Sequence, residues 1–396
     1  MYQHQRWTFP DDFNIQFGQK ASLSFREEYG VPAALPKKIL IFTSHTGGGH
    51  ISLANALRDR LEGRYQVELS DPQPHLVHLH YRLVSRHALW LWAAEFRMSD
   101  GPRRARLSHA TVSLAFRRQV LRVLNHTQPD LVISTYPYLT CEVTDAMRQS
   151  GRRVPFVMLF ADPNGVHQSW LTEKNASAVL APTRETYQQA LDCGFTREWV
   201  HLSGWPVRAQ FYRDWRPLRE ETLLKLGLRT DLFTVFLQGG GEGAAGFMQT
   251  LNRVLSTPGL QVILAAGSNK VLFNRCQNIP RLAALPFTRE IAPFMAAADV
   301  IMGKAGPNML FETVTLGKPF ISTAYIPGQE EPNLEFIRRY RLGWVALDGE
   351  SQADLLRRLV TTPSLLEAAR SGVMAYRKWN NAALESIVPC IDNLLN

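Results

Sequence analysis

Lys38-Ile-Leu-Ile-Phe-Thr43 runs straight into Ser44-His-Thr-Gly-Gly-Gly-His50. Far downstream, Phe233-Thr-Val-Phe-Leu237 runs into Gln238-Gly-Gly-Gly-Glu-Gly243. Each is a short, apolar, β-rich run of the kind that forms a buried parallel strand. After the first loop, Leu53, Ala54, Leu57 and Leu61 recur at helical spacing. Two strand–glycine loop–helix openings predict two halves of the same architecture. Further strands are expected at 65–69, 130–134, 155–160 and 178–181, and in the second half at 261–265, 299–302 and 319–322, alternating with helices. That alternation predicts an α/β fold with a parallel sheet in each half. Gly204-Trp-Pro206 and Trp215-Arg-Pro217 interrupt it and mark a boundary near 210. The expected domains are 1–210 and 211–375, with a last helix, 376–396, packing back on the first. Two such sheets facing across a cleft put both glycine loops at the strands' carboxyl ends, where ligands bind.

Length and composition suit this reading. The chain has 396 residues, 45% hydrophobic and 20% charged, enough for two core-forming domains. Its four cysteines, Cys141, Cys193, Cys276 and Cys390, make no C-x-x-C pair. That excludes a zinc ribbon or redox motif and fits a reducing compartment. Met1 to Asp12 is polar and carries acids, unlike a signal peptide, and no run of 18 apolar residues predicts a membrane span. The first 36 residues show no period. The net charge of +9 is unevenly placed: nine arginines between His75 and Val123 face only Glu95 and Asp100, a local excess of seven. Arg103, Arg104 and Arg106, with Trp90, Trp92 and Phe96, suit a helix pair lying on an anionic membrane. The plain alternative is a solvated face behind a core stripe of Val112, Phe116, Val120 and Val123. No nucleic-acid motif appears, and nucleic acid is not an expected partner.

A glycine loop between strand and helix offers bare N–H groups and a positive helix end, which suits an anion. Gly241, Gly243 and Gly246 fit G-x-G-x-x-G, but the next strand ends in Ala266-Gly267-Ser268 without the acid a dinucleotide needs. Asp71 sits where such an acid would stand in the first half, behind the wrong loop. A dehydrogenase is therefore disfavoured, and tight structural turns remain the plain alternative. A third candidate is Gly303-Lys-Ala-Gly306 before Pro307, a proline at the favoured first helical position. Its helix, 308–316, ends at Gly317 and carries Glu312 one turn in. Glu312 is a ribose ligand or a solvated helix residue. Ile326-Pro-Gly-Gln-Glu-Glu-Pro-Asn333 offers acceptors and a donor to a polyhydroxylated ligand, or is an ordinary surface turn.

Taken in this order, the segments resemble the monogalactosyl- and glucosyl-diacylglycerol synthases. These are inverting GT-B glycosyltransferases of family 28, similar to the bacterial enzyme that adds N-acetylglucosamine to lipid I. The likeness spans Lys38 to Gly343 and includes Ala181-Pro-Thr183 and Ser203-Gly-Trp-Pro-Val207. It implies transfer of a hexose from a UDP-hexose to a lipid hydroxyl, diacylglycerol-like. The transfer would take place on the cytoplasmic face of an anionic membrane, without cofactor or obligatory metal. The likeness puts His50 on the acceptor side near the reacting hydroxyl. That hydroxyl needs a base and a histidine near neutrality suits, so His50 is the first candidate, with Asp162 and His167 as runners-up or orienting partners. The plain alternatives are a loop cap for His50 and an ordinary histidine for His167. Gly48, Gly49 and Trp170 would lie on the acceptor side. On the donor side, Gly239, Gly240, Gly241, Glu242 and Gly243 would approach the UDP-sugar, and Lys304, Ala305, Gly306, Pro307 and Asn308 would open the diphosphate-binding helix. Glu312 would hold ribose, Gln329 and Glu330 the sugar, and Phe287 would flank the uracil.

Two departures stand out. The family's Lys-Ala-Gly-Pro-Gly-Thr is here Lys304-Ala-Gly-Pro-Asn308-Met309, so a hydroxyl is lost and Asn308 is left to substitute. The acceptor segment reads Phe160-Ala-Asp162-Pro, with His167 and Trp170 kept, which leaves room for another acceptor. A UDP-sugar epimerase or a nucleotide-sugar sensor is the other class of reading, since folds do not fix functions.

Overall fold

The computed structural model describes residues 36–46, 48–238 and 247–396, with the side chains at 82, 85–87, 89 and 114 excepted. The first half carries β1 (Lys38–Phe42), β2 (Gln66–Ser70), β3 (Leu131–Ser134), β4 (Phe156–Leu159), β5 (Ala178–Ala181) and β6 (Val200–Leu202). Its helices are α1 (Gly49–Leu61), α2 (His75–His87), α3 (Leu89–Ser99), α4 (Pro102–Thr127), α5 (Cys141–Gln149), α6 (Gln168–Leu171) and α7 (Arg184–Asp192). The second half carries β7 (Phe233–Gln238), β8 (Leu260–Ala265), β9 (Leu282–Leu285), β10 (Val300–Lys304), β11 (Phe320–Ala324) and β12 (Gly343–Val345). Its helices are α8 (Arg219–Lys225), α9 (Phe247–Ser256), α10 (Lys270–Arg275), α11 (Ala292–Ala297), α12 (Pro307–Thr315), α13 (Glu331–Arg339) and α14 (Gly349–Thr361). The chain ends with α15 (Pro363–Leu384) and α16 (Ile387–Leu395).

The expected parallel sheets are present. Every residue of β3, β4, β5 and β8 is buried, as strands covered by helices on both faces must be. The strand orders are β2-β1-β3-β4-β5-β6 and β12-β11-β10-β7-β8-β9. In each sheet the order reverses beside the strand that begins the half, at β1/β3 and at β7/β10. Such switch points open crevices beyond the carboxyl ends of the strands. Gly303 is required at the second of them. A Cβ there would collide with the Gln238 carbonyl on the paired strand, so strand packing alone requires a glycine here.

The halves are joined at Trp205, which is fully buried. Its indole stacks on Phe311 of α12 at 4.8 Å and 6°. Its backbone N–H donates to Asn380 Oδ1 at 2.8 Å, and its carbonyl accepts from Asn380 Nδ2 at 3.1 Å. Gly204, at φ +65°, makes room: a Cβ there would lie 2.7 Å from the Asn380 carbonyl. Further along, Ser386 donates to the Leu202 carbonyl, and Arg64 and Tyr65 both reach Asp392. The segment 376–396 thus lies against the first sheet's elements, and one core cluster runs through both halves.

The basic region differs from its expected form. It is three helices, and the α4 stripe is core: Phe116 and Val120 are buried, and Val112 and Val123 pack against them. The stripe itself is therefore not free to lie on a membrane. The outer side of α4 shows Arg103, Arg104, Arg106, Arg117, Arg118 and Arg122, all exposed. Most of the region's exposed apolar residues lie elsewhere, Leu76, Leu79 and Leu83 along α2 and Trp90 and Met98 on α3, with Leu107 in the first turns of α4. Trp92 is turned in, edge-on to Tyr81 at 5.2 Å.

α4 is pinned from beneath by His109, which donates from Nδ1 to Glu142 at 2.9 Å and from Nε2 to the Ser169 carbonyl at 2.9 Å. Two donating nitrogens describe an imidazolium. Desolvation pulls its pKa down, but hydrogen bonds to Cys141 and Glu142 and the Glu142 charge prevail and raise it to about 11. A value raised from 6.5 stabilises fully below about pH 6.5 and is lost as pH climbs toward 11. His109→Ala should cost about 3–5 kcal/mol by stranding a buried carboxylate. The gap from wild type in urea melts should narrow between pH 7 and pH 10. A gap that stays constant with pH would show that His109 is not held as a cation.

Candidate functional site

The loop between β1 and α1 and the residues after β3 meet at the first switch point, and His50 stands between them. Its Nδ1 donates to the Thr135 carbonyl at 2.8 Å, and its ring lies edge-on to Tyr136 at 4.9 Å. That bond fixes the tautomer, leaving the Nε2 lone pair unprotonated. Desolvation lowers the His50 pKa to about 4, against the raising effects of the Thr135 bond and the more distant Asp71. The ring is a neutral imidazole with one basic nitrogen open, in the form a general base needs.

The other candidate bases are placed differently. His167 caps α6, accepting at Nδ1 from the Ser169 hydroxyl at 2.7 Å and from its backbone N–H at 3.2 Å. Its Nε2 donates to the Phe96 carbonyl at 3.2 Å, with Ser99 Oγ at 3.3 Å. Both ring nitrogens are occupied, so His167 fastens α3 to the loop after β4 and offers no free lone pair. Trp170 is fully buried, packed edge-on against Phe160 at 5.6 Å, so it presents no surface to a ligand. Asp162 is half-buried. Burial raises its pKa to about 7, against hydrogen bonding from Trp170 and the His167 backbone.

At the second switch point, the loop carrying Gly239, Gly240, Gly241, Glu242 and Gly243 lies outside the described residues. The turn after β10 is described. Ala305 is buried: its N–H donates to the Ala324 carbonyl at 2.8 Å and its carbonyl accepts from Asn333 at 2.9 Å. Gly306 caps α12, and Pro307, at its first position, has no N–H to leave unsatisfied. By helix geometry the N–H groups of Asn308 and Met309 have no intrahelical partner, and they end a helix whose dipole favours an anion. Beside them, Glu330 is buried, accepting from Lys304 Nζ at 2.5 Å and from the Ile326 N–H at 2.9 Å. Gln329 is half-buried.

Glu312 is buried, and Arg208 donates to its Oε1 at 3.0 Å. Burial pushes the carboxyl up, opposed by the Arg208 charge and hydrogen bond and by Ser52 of α1. Arg208 also donates to the Arg289 carbonyl at 3.3 Å, and Gln210 joins it there at 2.8 Å. Phe287, strongly exposed, stands two residues from Arg289 on that loop. Phe287 and Glu312 are thus brought to neighbouring positions through Arg208, a residue the sequence reading passed over. It directly follows Ser203-Gly-Trp-Pro-Val207, and extending that motif by one residue would have found it. The first half also meets the 326–333 loop, where Phe96 lies against Gly328 and Asn164 donates to the Pro332 carbonyl at 2.9 Å.

This architecture is the GT-B fold. A structure of HepE from Anabaena with UDP-glucose overlays 90% of this chain and 99% of its own length at TM-score 0.55 and 16% identity. The spinosyn rhamnosyltransferase SpnG overlays at 0.58 and 13% identity, covering 90% of this chain and all of its own. A UDP-GlcNAc 2-epimerase from Neisseria meningitidis overlays at 0.56 and 12% identity, again over 90% of this chain and its whole length. The fold therefore houses more than one activity. Sequence narrows the choice: residues 50–207 match the monogalactosyldiacylglycerol (MGDG) synthase family, and 234–335 match the glycosyltransferase family 28 C-terminal domain. A probable monogalactosyldiacylglycerol synthase 2 of Oryza sativa is 30% identical over 370 residues, 85% of this chain and 77% of its own length. The chain belongs to the monogalactosyldiacylglycerol synthase family. It spans 62% of the length of a probable tobacco synthase, which is 30% identical over 78% of this chain.

Held by the Thr135 carbonyl, His50 keeps its Nδ1 proton and a bare Nε2 down to about pH 4, where histidine ordinarily protonates near 6.5. Because this value is depressed, the stability it supports is present above 6.5 and falls away as pH drops through 4. Nitrogen NMR of the histidine rings, with His50→Gln to assign the signal, should show that tautomer at neutral pH. A His50 signal titrating near 6.5 would contradict the geometry.

Proposed function

We propose that the chain moves a hexose from a UDP-sugar to a lipid hydroxyl, diacylglycerol being the first candidate, in one inverting displacement. The observation that carries this is the neutral His50 ring, open at Nε2, one residue from the point where α1 touches the N-terminus of α12. His50 would take the proton from the lipid hydroxyl as its oxygen attacks the anomeric carbon. The departing UDP would be met by the free N–H groups and dipole of α12, with no metal required. Glu312 would exchange its bond from Arg208 for the ribose hydroxyls, while Gln329 and Glu330 would hold the sugar. His167 and Trp170 would shape the acceptor side rather than act in the chemistry. The relatives named for making monogalactosyldiacylglycerol support a hexose and a diacylglycerol acceptor, and membership of their family weighs against an epimerase or sensor.

We place the enzyme peripherally on the cytoplasmic face of an anionic membrane. Among the described residues no helix is long and apolar enough to span a bilayer. The apolar residues on α2 and α3, with the arginines of α4 nearby, supply both attractions that interfacial binding needs.

Radiolabelled UDP-galactose and UDP-glucose, supplied with diacylglycerol vesicles in the presence of a chelator, should yield labelled glycolipid on thin-layer chromatography. His50→Ala should lower turnover by about two to four orders of magnitude, with the wild-type acid limb near pH 4. A limb near pH 7 with His50→Ala still active would move the base to Asp162.

For the membrane, changing Arg103, Arg104 and Arg106 to glutamine should cost up to about 3 kcal/mol of binding to anionic vesicles, near 1 kcal/mol per charge. The loss should vanish with neutral lipid and shrink as salt rises. Flotation of the triple variant equal to wild type at low salt would leave the arginines as a solvated face.

A further inference from the structure

Asn308 stands at the second position of α12, where the family pattern has a glycine. Its Nδ2 donates to the carbonyl of Gly49, the first residue of α1, at 2.8 Å. Its Oδ1 accepts from the Trp205 indole N–H at 3.2 Å. The carboxamide thus bridges the first turn of α1, the first turn of α12 and the fully buried tryptophan that joins the halves. Its acceptor atom and one of its two N–H donors are engaged in these bonds, which hold the carboxamide in place. A diphosphate at this helix end would meet the backbone N–H groups of Asn308 and Met309.

We propose that Asn308 is a positioning residue. Its side chain latches the N-terminus of α12 onto that of α1, and so sets the distance between the His50 ring and the leaving diphosphate. His50 follows Gly49 directly, so a shift of the Gly49 carbonyl carries the base with it. A glycine at 308 can make neither bond, so the latch belongs to this chain and not to the family pattern. The proposal rests on the transferase reading given above. A displacement of about 1 Å between reacting groups is enough to cost about a hundredfold in rate, so one latch can govern turnover while leaving UDP binding alone.

The test uses the full chain with Asn308→Gly and Asn308→Asp. Asn308→Gly should lower kcat about ten- to hundredfold, while UDP affinity by calorimetry stays within about twofold and the acid limb does not move. Asn308→Asp keeps the shape and the Trp205 contact but sets a carboxylate against the Gly49 carbonyl, so it should be slower still. In both, amide exchange at the first turn of α1, read by mass spectrometry, should quicken. If UDP affinity falls and kcat at saturating donor holds, Asn308 is a donor contact and the latch is overturned. Unchanged kcat and exchange overturn it equally. If the wild type transfers no sugar, the transferase reading falls, while the exchange measurement still decides whether the latch exists. Should the glycine variant fail to fold, Asn308→Ala removes the same two bonds and is read in the same way.

Discussion

Trp205 is bound on every side. Its ring lies flat on Phe311, its indole N–H is taken by Asn308, and its backbone N–H and carbonyl are both taken by Asn380. A buried aromatic with every polar group satisfied contributes its full apolar area and strands nothing. This joint fastens the segment after β6 to both α12 and α15. Other contacts span the halves beside it: Asn308 to Gly49, Arg208 to Glu312 and Asn164 to the Pro332 carbonyl. Around Trp205, Phe311, Phe336, Tyr340, Tyr376 and Trp379 form a chain of ring contacts that ties α12, α13 and α15 together.

The site follows from topology. A parallel sheet sends every strand's carboxyl end the same way, and a reversal in strand order parts the loops there. At one reversal the parted loops deliver an imidazole, and at the other a helix end. Neither needs an unusual backbone: Gly306 caps α12 with ordinary extended angles, and His50 sits within the first turn of a regular helix. The chemistry comes from what burial does to ordinary groups. It keeps His50 neutral, raises Asp162 to about 7, and pushes the Glu312 carboxyl up against the pull of Arg208.

Much of the fold was legible because buried parallel strands need continuous apolar runs, and β1, β3, β4, β5, β7 and β8 are written that way. The strands β6, β9 and β12 were not singled out; they are short and stand toward the sheet edges, where packing asks less of the sequence. Residue types at the site were legible too, from glycine loops, a histidine after one of them and an acid inside a capped helix. Their partners were not. The Thr135 carbonyl that fixes the His50 tautomer lies 85 residues away, and the Arg208 that meets Glu312 lies 104 away. The same limit hid the role of His167, whose Nε2 is taken up by the far end of α3. It also hid the fate of the α4 stripe, since an amphipathic helix on a core and one on a membrane share the same period.

The charge of this molecule is lopsided. Seven of its nine net positive charges belong to the stretch between His75 and Val123, leaving the rest of the chain close to neutral. Such a body has a permanent dipole, and near a negatively charged plane it feels a torque before it feels a contact. That torque acts over roughly the 8 Å Debye length of physiological salt. On the membrane reading proposed above, the protein would be turned by its charge as it closes on the surface. On that reading, the turning would happen within the last ~8 Å of approach, before side chains touch lipid.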